Sequence, residues 1–179
     1  MSKFMPSLAI AALFLIGTLP CRATDQSPDH SAFDGLLHRY VVPTGVDYRT
    51  WSQNKEDRSA LRSYLATLAQ QAPSRLERSE ALAYWINLYN AATLSLVLEH
   101  YPVASIKDIG TALSSPWKKK VVTVEGQRLS LNEIENDIVR PSFLEPRIHF
   151  ALNCAARSCP PLRNEAYLGP QLESQLEAQ

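Results

Sequence analysis

The sequence predicts an α+β fold: a helix-rich single domain whose long, buried central helix packs on a small, mostly antiparallel sheet. Three observations predict it. Residues 77–100 are apolar nearly all round a helix, the mark of a helix with no solvent face. Lys120–Val124 and Gln127–Leu129 flank Glu125-Gly126, which reads as a short hairpin. Apolar residues at helical spacing recur on both sides of these features.

The N-terminus sets the compartment. Lys3 is the one charge ahead of an apolar run, Phe4 to Leu19, and Pro20 breaks that run before Cys21-Arg22-Ala23. This is the charged, apolar and small-residue order of a secretory signal, so residues 1–23 are expected to be removed and the protein to be periplasmic or secreted. The run falls short of the roughly 20 residues a membrane span needs. Pro20 directly before Cys21 makes a poor lipoprotein cleavage site, and no later segment is expected to span a membrane. Lys3 and Arg22 leave with the leader, which turns the balance of 18 basic against 18 acidic residues slightly negative. A nucleic-acid partner, which selects a strongly basic face, is excluded on that ground. Lys118-Lys119-Lys120 reads as a solvated strand end. Residues 24–179 fit one domain large enough for a real core. No cofactor is expected, and the open partners are an envelope protein or a small-molecule ligand.

From His30, the apolar residues Phe33, Leu36, Leu37 and Tyr40 predict a short amphipathic helix. Pro43-Thr44-Gly45 is a turn, and Val46-Asp47-Tyr48 is read as extended. A second helix follows over about 54–70 on Leu61, Leu65 and Leu68. The third, about Glu77 to His100, sets Leu82, Trp85, Ile86, Tyr89, Thr93 and Leu96 on one side and Tyr84, Leu88, Ala91, Ser95 and Leu98 on another. Asn87 and Asn90 lie three apart on what remains. Buried amides demand partners, so these two either pin the backbone of a neighbouring loop or serve a site. After the hairpin, Ser130-Leu131-Asn132-Glu133 has capping-box spacing and opens a helix to Arg140. Pro141 and Pro146 bracket a loop, Ile148–Leu152 reads as a short strand, and Leu172 and Leu176 mark a last helix within 171–179.

Chemistry concentrates just after that strand, where His149, Cys154 and Cys159 fall within eleven residues. Three readings stay open. Two cysteines in an exported chain usually oxidise to a disulfide, here across a small ring. Cys154 could instead be a nucleophile, its thiol activated by His149, by a helix N-terminus or by His100, with Glu133 a further candidate catalytic residue. A metal held by His149, Cys154 and Cys159 would need a fourth ligand from Glu133 or Glu135, and no metal is expected. Trp85, Asn87, Asn90 and Glu135 complete a candidate binding surface.

Three segments, Tyr84-Trp85-Ile86-Asn87-Leu88-Tyr89-Asn90-Ala91, Leu129 to Asn136, and His149 through Leu162, occur in this order behind the leader. Together they resemble the bacterial domain of unknown function 547 family over about residues 46–172. Members of that family carry a histidine where this chain has Asn136, and they run on through further helical sequence, so the resemblance implies a C-terminally short member. It supplies positions rather than a reaction. A helix apolar on two faces beside strands bearing a His is similar to papain- and transglutaminase-like cores, although there the helix carries the Cys. Two classes follow: a thiol-dependent hydrolase or transferase, and a non-catalytic envelope binding module.

Overall fold

The computed structural model describes residues 27–111, 114–156 and 158–179. The expected leader, residues 1–23, lies outside the described residues.

Helix α1 (Ser31–Tyr40) buries Phe33, Leu36, Leu37 and Tyr40, the stripe read from its spacing. The chain turns back through β1 (Val41–Val42) and β2 (Gly45–Val46), an antiparallel pair. Tyr48, expected extended, opens a helix instead. The Asp47 side chain accepts from the Thr50 N–H and caps α2 (Tyr48–Gln53), which is N-cap chemistry visible in the Asp-x-x-Thr spacing. Asn54 repeats the device from the Asp57 N–H and starts α3 (Lys55–Leu68).

Helix α4 (Arg78–His100) is buried at every residue from Ala81 to Leu98. It runs through a single apolar cluster that reaches from Phe33 in α1 to Leu176 near the C-terminus. The Tyr84 hydroxyl donates to the Leu68 carbonyl at 2.9 Å and ties α4 to the end of α3. By length and composition α4 could cross a membrane, but 94% of its apolar window is buried within the fold itself.

Strands β3 (Lys120–Val124) and β4 (Gln127–Ser130) pair antiparallel as predicted. Glu125 (φ 46°) and Gly126 (φ 80°) make the turn, two positive φ values in a row as the twist of a tight hairpin requires. The two hairpins form separate two-stranded sheets. Ser130 and Glu133 close the predicted capping box at the start of α5 (Leu131–Glu133). The helix then widens into a π-helical segment (Ile134–Val139) and ends as α6 (Arg140–Phe143). Pro141 therefore sits inside the last helical turn rather than in a loop.

The strand expected at Ile148–Leu152 is a helix, α7 (Ile148–Ala151). Ile148, Ala151 and Leu152 are buried while His149 and Phe150 are exposed, an i, i+3, i+4 pattern. The Leu152 N–H returns to the Ile148 carbonyl at 3.0 Å. Five residues, four apolar and one His, cannot distinguish the two periods, and among the described residues no strand pairs with this segment. The chain closes with α8 (Leu172–Glu177).

Candidate functional site

The amides of α4 act on backbone. Asn87 Nδ2 donates to the Tyr167 carbonyl at 2.7 Å, and its Oδ1 accepts the Tyr167 N–H at 2.9 Å. One turn on, Asn90 Nδ2 donates to the Ala151 carbonyl at 3.0 Å and Oδ1 accepts the Asn153 N–H at 2.9 Å. A third amide, Gln175 of α8, grips the same stretch as Asn87: Nε2 donates to the Ala166 carbonyl and Oε1 accepts the Leu168 N–H, at 2.9 and 2.8 Å. The sequence signal for Gln175 was its place beside Leu172 and Leu176 on the apolar face of the last helix. Trp85 is buried with its ring edge-on to Tyr84 at 5.2 Å. These side chains hold the fold, and Gln175 also borders a cleft with His30, Asp34 and Glu165.

Asn153 carries that restraint into the cysteine loop. Its Nδ2 donates to the Pro160 carbonyl at 2.7 Å and its Oδ1 accepts the Ala155 N–H at 3.0 Å. The Cys154 and Cys159 sulfurs stand at disulfide distance, with Cα atoms 6.1 Å apart. Between them Ala155 adopts a left-handed backbone, φ 57°. His149 does not turn inward to this loop. It is exposed on α7, its ring against Phe150 at 5.5 Å. His100 is exposed too and bonds the Leu96 carbonyl at 2.8 Å.

The two glutamates part company. Glu133 is committed to local structure: its carboxylate accepts the Ser130 N–H at 2.8 Å and Lys120 Nζ at 2.6 Å. The Lys120 hydrogen bond, followed by those from Ser130, holds its carboxyl at about 2. Glu135 belongs to the π-helical segment, whose extra residue per turn is a frequent companion of functional sites. It accepts from Arg140 at 2.7 Å and from the Tyr89 hydroxyl at 3.3 Å. Burial first, then the Glu135 charge, pushes the Tyr89 phenol well above its ordinary range.

Glu135 and Tyr89 border a cleft of about 260 Å³. Asn132 and Cys154 form further wall, and the turn Pro116–Lys118 brings Trp117 and Lys118 to its rim with Ser115. Trp117 Nε1 donates to the Cys154 carbonyl at 3.2 Å and joins rim to cysteine loop. Each of the three segments singled out in the sequence thus reaches the cleft: Tyr89 from the first, Asn132 and Glu135 from the second, Cys154 from the third.

Residues 73–179 match a family model described as protein of unknown function, DUF547. The chain belongs to this family. The match starts later and runs further than residues 46–172, and takes in every residue that lines the cleft. Helices α1 to α3 precede it. No curated protein and no solved structure matches the chain. Among the described residues no group of three or more His, Cys, Asp or Glu side chains is placed to hold a metal ion.

Proposed function

We propose that this DUF547 protein is an exported, non-catalytic binding module that takes a small polar ligand in the cleft between Tyr89, Glu135 and Cys154. The observation that carries the reading is convergence: three segments far apart in the chain each place a residue on one cleft of about 260 Å³. Aromatic walls with a few polar groups are what small-ligand sites are made of. Export is supported by the leader pattern and by the sulfur pair at bonding distance, the usual state of paired cysteines outside the cytosol.

The thiol-enzyme reading has one point in its favour, the place of Cys154 on the cleft wall. Against it, a bridged sulfur is no nucleophile, and His149 faces solvent. Thermal-shift screening of the unreduced mature protein against small polar metabolites tests the binding reading. A ligand should raise the melting temperature, and Trp117→Ala should abolish the rise. Turnover of an ester or amide that depends on a reduced Cys154 would replace this reading with the thiol one.

A further inference from the structure

The cleft's lining is unevenly satisfied. Three of its hydrogen-bond donors have no acceptor among the described residues: the Lys118 ammonium, the Ser115 hydroxyl and the Asn132 amide N–H groups. Asn132 uses only its Oδ1, which accepts from Asn136 Nδ2 at 3.2 Å. Lys118 is exposed and Ser115 half-buried, so water serves these donors until something better arrives. One carboxylate stands against them. Glu135 is ion-paired with Arg140 at 2.7 Å, which offsets its charge in part, and accepts from Tyr89. A carboxylate has about four lone-pair sites, so part of its accepting capacity is open. A cleft lined by both an unpaired cation and a partly open carboxylate complements a molecule that carries both charges. A plain anion would face Glu135, and a plain cation would face Lys118. The volume of about 260 Å³ holds several times the roughly 30 Å³ share of one water, the size range of a single amino acid. The Tyr89 and Trp117 rings offer apolar surface for the remainder of such a ligand.

We infer that the cleft binds a small zwitterion of the amino-carboxylic acid class, its carboxylate taken by Lys118, Ser115 and Asn132 and its ammonium by Glu135 beside Tyr89. This rests on the reading of the cleft as a ligand site. Opposite charges at the two ends fix the ligand's direction, and the carboxylate takes the donors over from water.

Calorimetric titration of the mature, unreduced protein tests it. The probes are the individual L-amino acids, their amides (no carboxylate), their N-acetyl derivatives (no ammonium), and glucose and N-acetylglucosamine as neutral polar molecules. At least one free amino acid binds, and its amide and N-acetyl forms bind tenfold or more weakly. Lys118→Ala erases the preference over the amide, and Glu135→Gln erases the preference over the N-acetyl form. Amides or N-acetyl forms that bind as well as the amino acid overturn the inference. A neutral sugar that binds and is weakened by Glu135→Gln overturns the zwitterion and leaves the cleft as the site. Amino-acid binding indifferent to both variants, or no binding by any probe, overturns the cleft as well.

Discussion

Asn87 and Tyr167 pair as neighbouring strand residues would, the amide of one meeting both the N–H and the C=O of the other at 2.9 and 2.7 Å. Both residues are buried, at 1% exposure each. A lone extended segment in a helical core has no ladder to satisfy it, and a side-chain amide carries one group of each kind. Asn90 does the same for Ala151 and Asn153, and Gln175 for Ala166 and Leu168. Amides on helices thus stand in for a strand ladder at these segments.

Replacing Asn87 with Leu should therefore be costly although the side chains are close in size. It leaves the Tyr167 N–H and C=O unpaired in the core, at about 1–3 kcal/mol for each unsatisfied group. Urea unfolding should show a loss of about 2–5 kcal/mol. Asn90→Leu should lose somewhat less, because Asn153 is only half-buried and water can reach its N–H. Unchanged midpoints in both variants would mean that these backbone groups find other partners.

Acid should weaken the fold in a window set by His30. Burial holds this imidazole at about 4, against an ordinary value of about 6.5; the Asp29 charge opposes the shift less strongly. Its Nδ1 bonds the Tyr64 hydroxyl at 2.6 Å, and Nε2 is buried with no partner among the described residues. Between the two values the unfolded chain binds a proton that the folded one refuses. The contribution is full above pH 6.5 and falls as pH drops toward 4, by at most about 3 kcal/mol. Glu133 and Glu145, both held at about 2, act in the same sense only below about pH 4.5. Urea midpoints at pH 7.5, 5.5 and 4.5 should decline, and His30→Gln should flatten the first part of that decline. An equal slope in the variant would assign the effect to other groups.

Two glycine substitutions should move stability in opposite directions. A Cβ on Gly110 would collide with the Ser114 carbonyl oxygen and with Pro116 Cδ. Backbone and a proline ring cannot step aside without shifting the loop that presents Ser115 and Trp117. Gly110→Ala should cost about 1–3 kcal/mol and weaken any ligand of the cleft. Gly35 is exposed in α1 with nothing within 4 Å of an added Cβ. Gly35→Ala should stabilise by about 0.5–1 kcal/mol, since Ala is the better helix former by about that much. Thermal melts of the two variants check both signs.

Much of the fold was legible because its signals are local. The α4 pattern, the Glu125-Gly126 turn and the Ser130–Glu133 box are each contained in a few adjacent residues. Asn87 and Asn90 announced themselves as polar groups on an apolar helix, although what they grip was not readable. The error at Ile148–Leu152 came from reading a short, mostly apolar run by composition; buried Ile148, Ala151 and Leu152 obey the helical period. The cleft was legible only in pieces. Tyr89, Asn132 and Cys154 lay within the three segments, but Ser115, Trp117 and Lys118 come from a loop with no periodicity. His149 looked central because it is close in sequence to Cys154, and one helical turn carries it to the surface.

The state of Cys154 and Cys159 decides which chemistry the cleft can host. Their sulfurs stand at disulfide distance, and the Cys154 N–H points to Cys159 Sγ at 3.2 Å. Asn153 and the Pro160 carbonyl brace the loop independently, at 2.7 Å. Peptide mass spectrometry of the unreduced protein should find the pair linked, about two mass units below the dithiol, and alkylating reagent should label neither cysteine. Because Asn153 holds the loop without the sulfurs, a Cys154→Ala, Cys159→Ala double variant should still fold. Its loss should be no more than the roughly 2–4 kcal/mol typical of a disulfide, and at the lower end for so short a ring. His149→Ala should leave both the linkage and the stability unchanged, since its ring is exposed and packs against Phe150. Fast labelling of Cys154 at neutral pH, slowed by His149→Ala, would instead show a working thiolate–imidazole pair and return the cleft to catalysis.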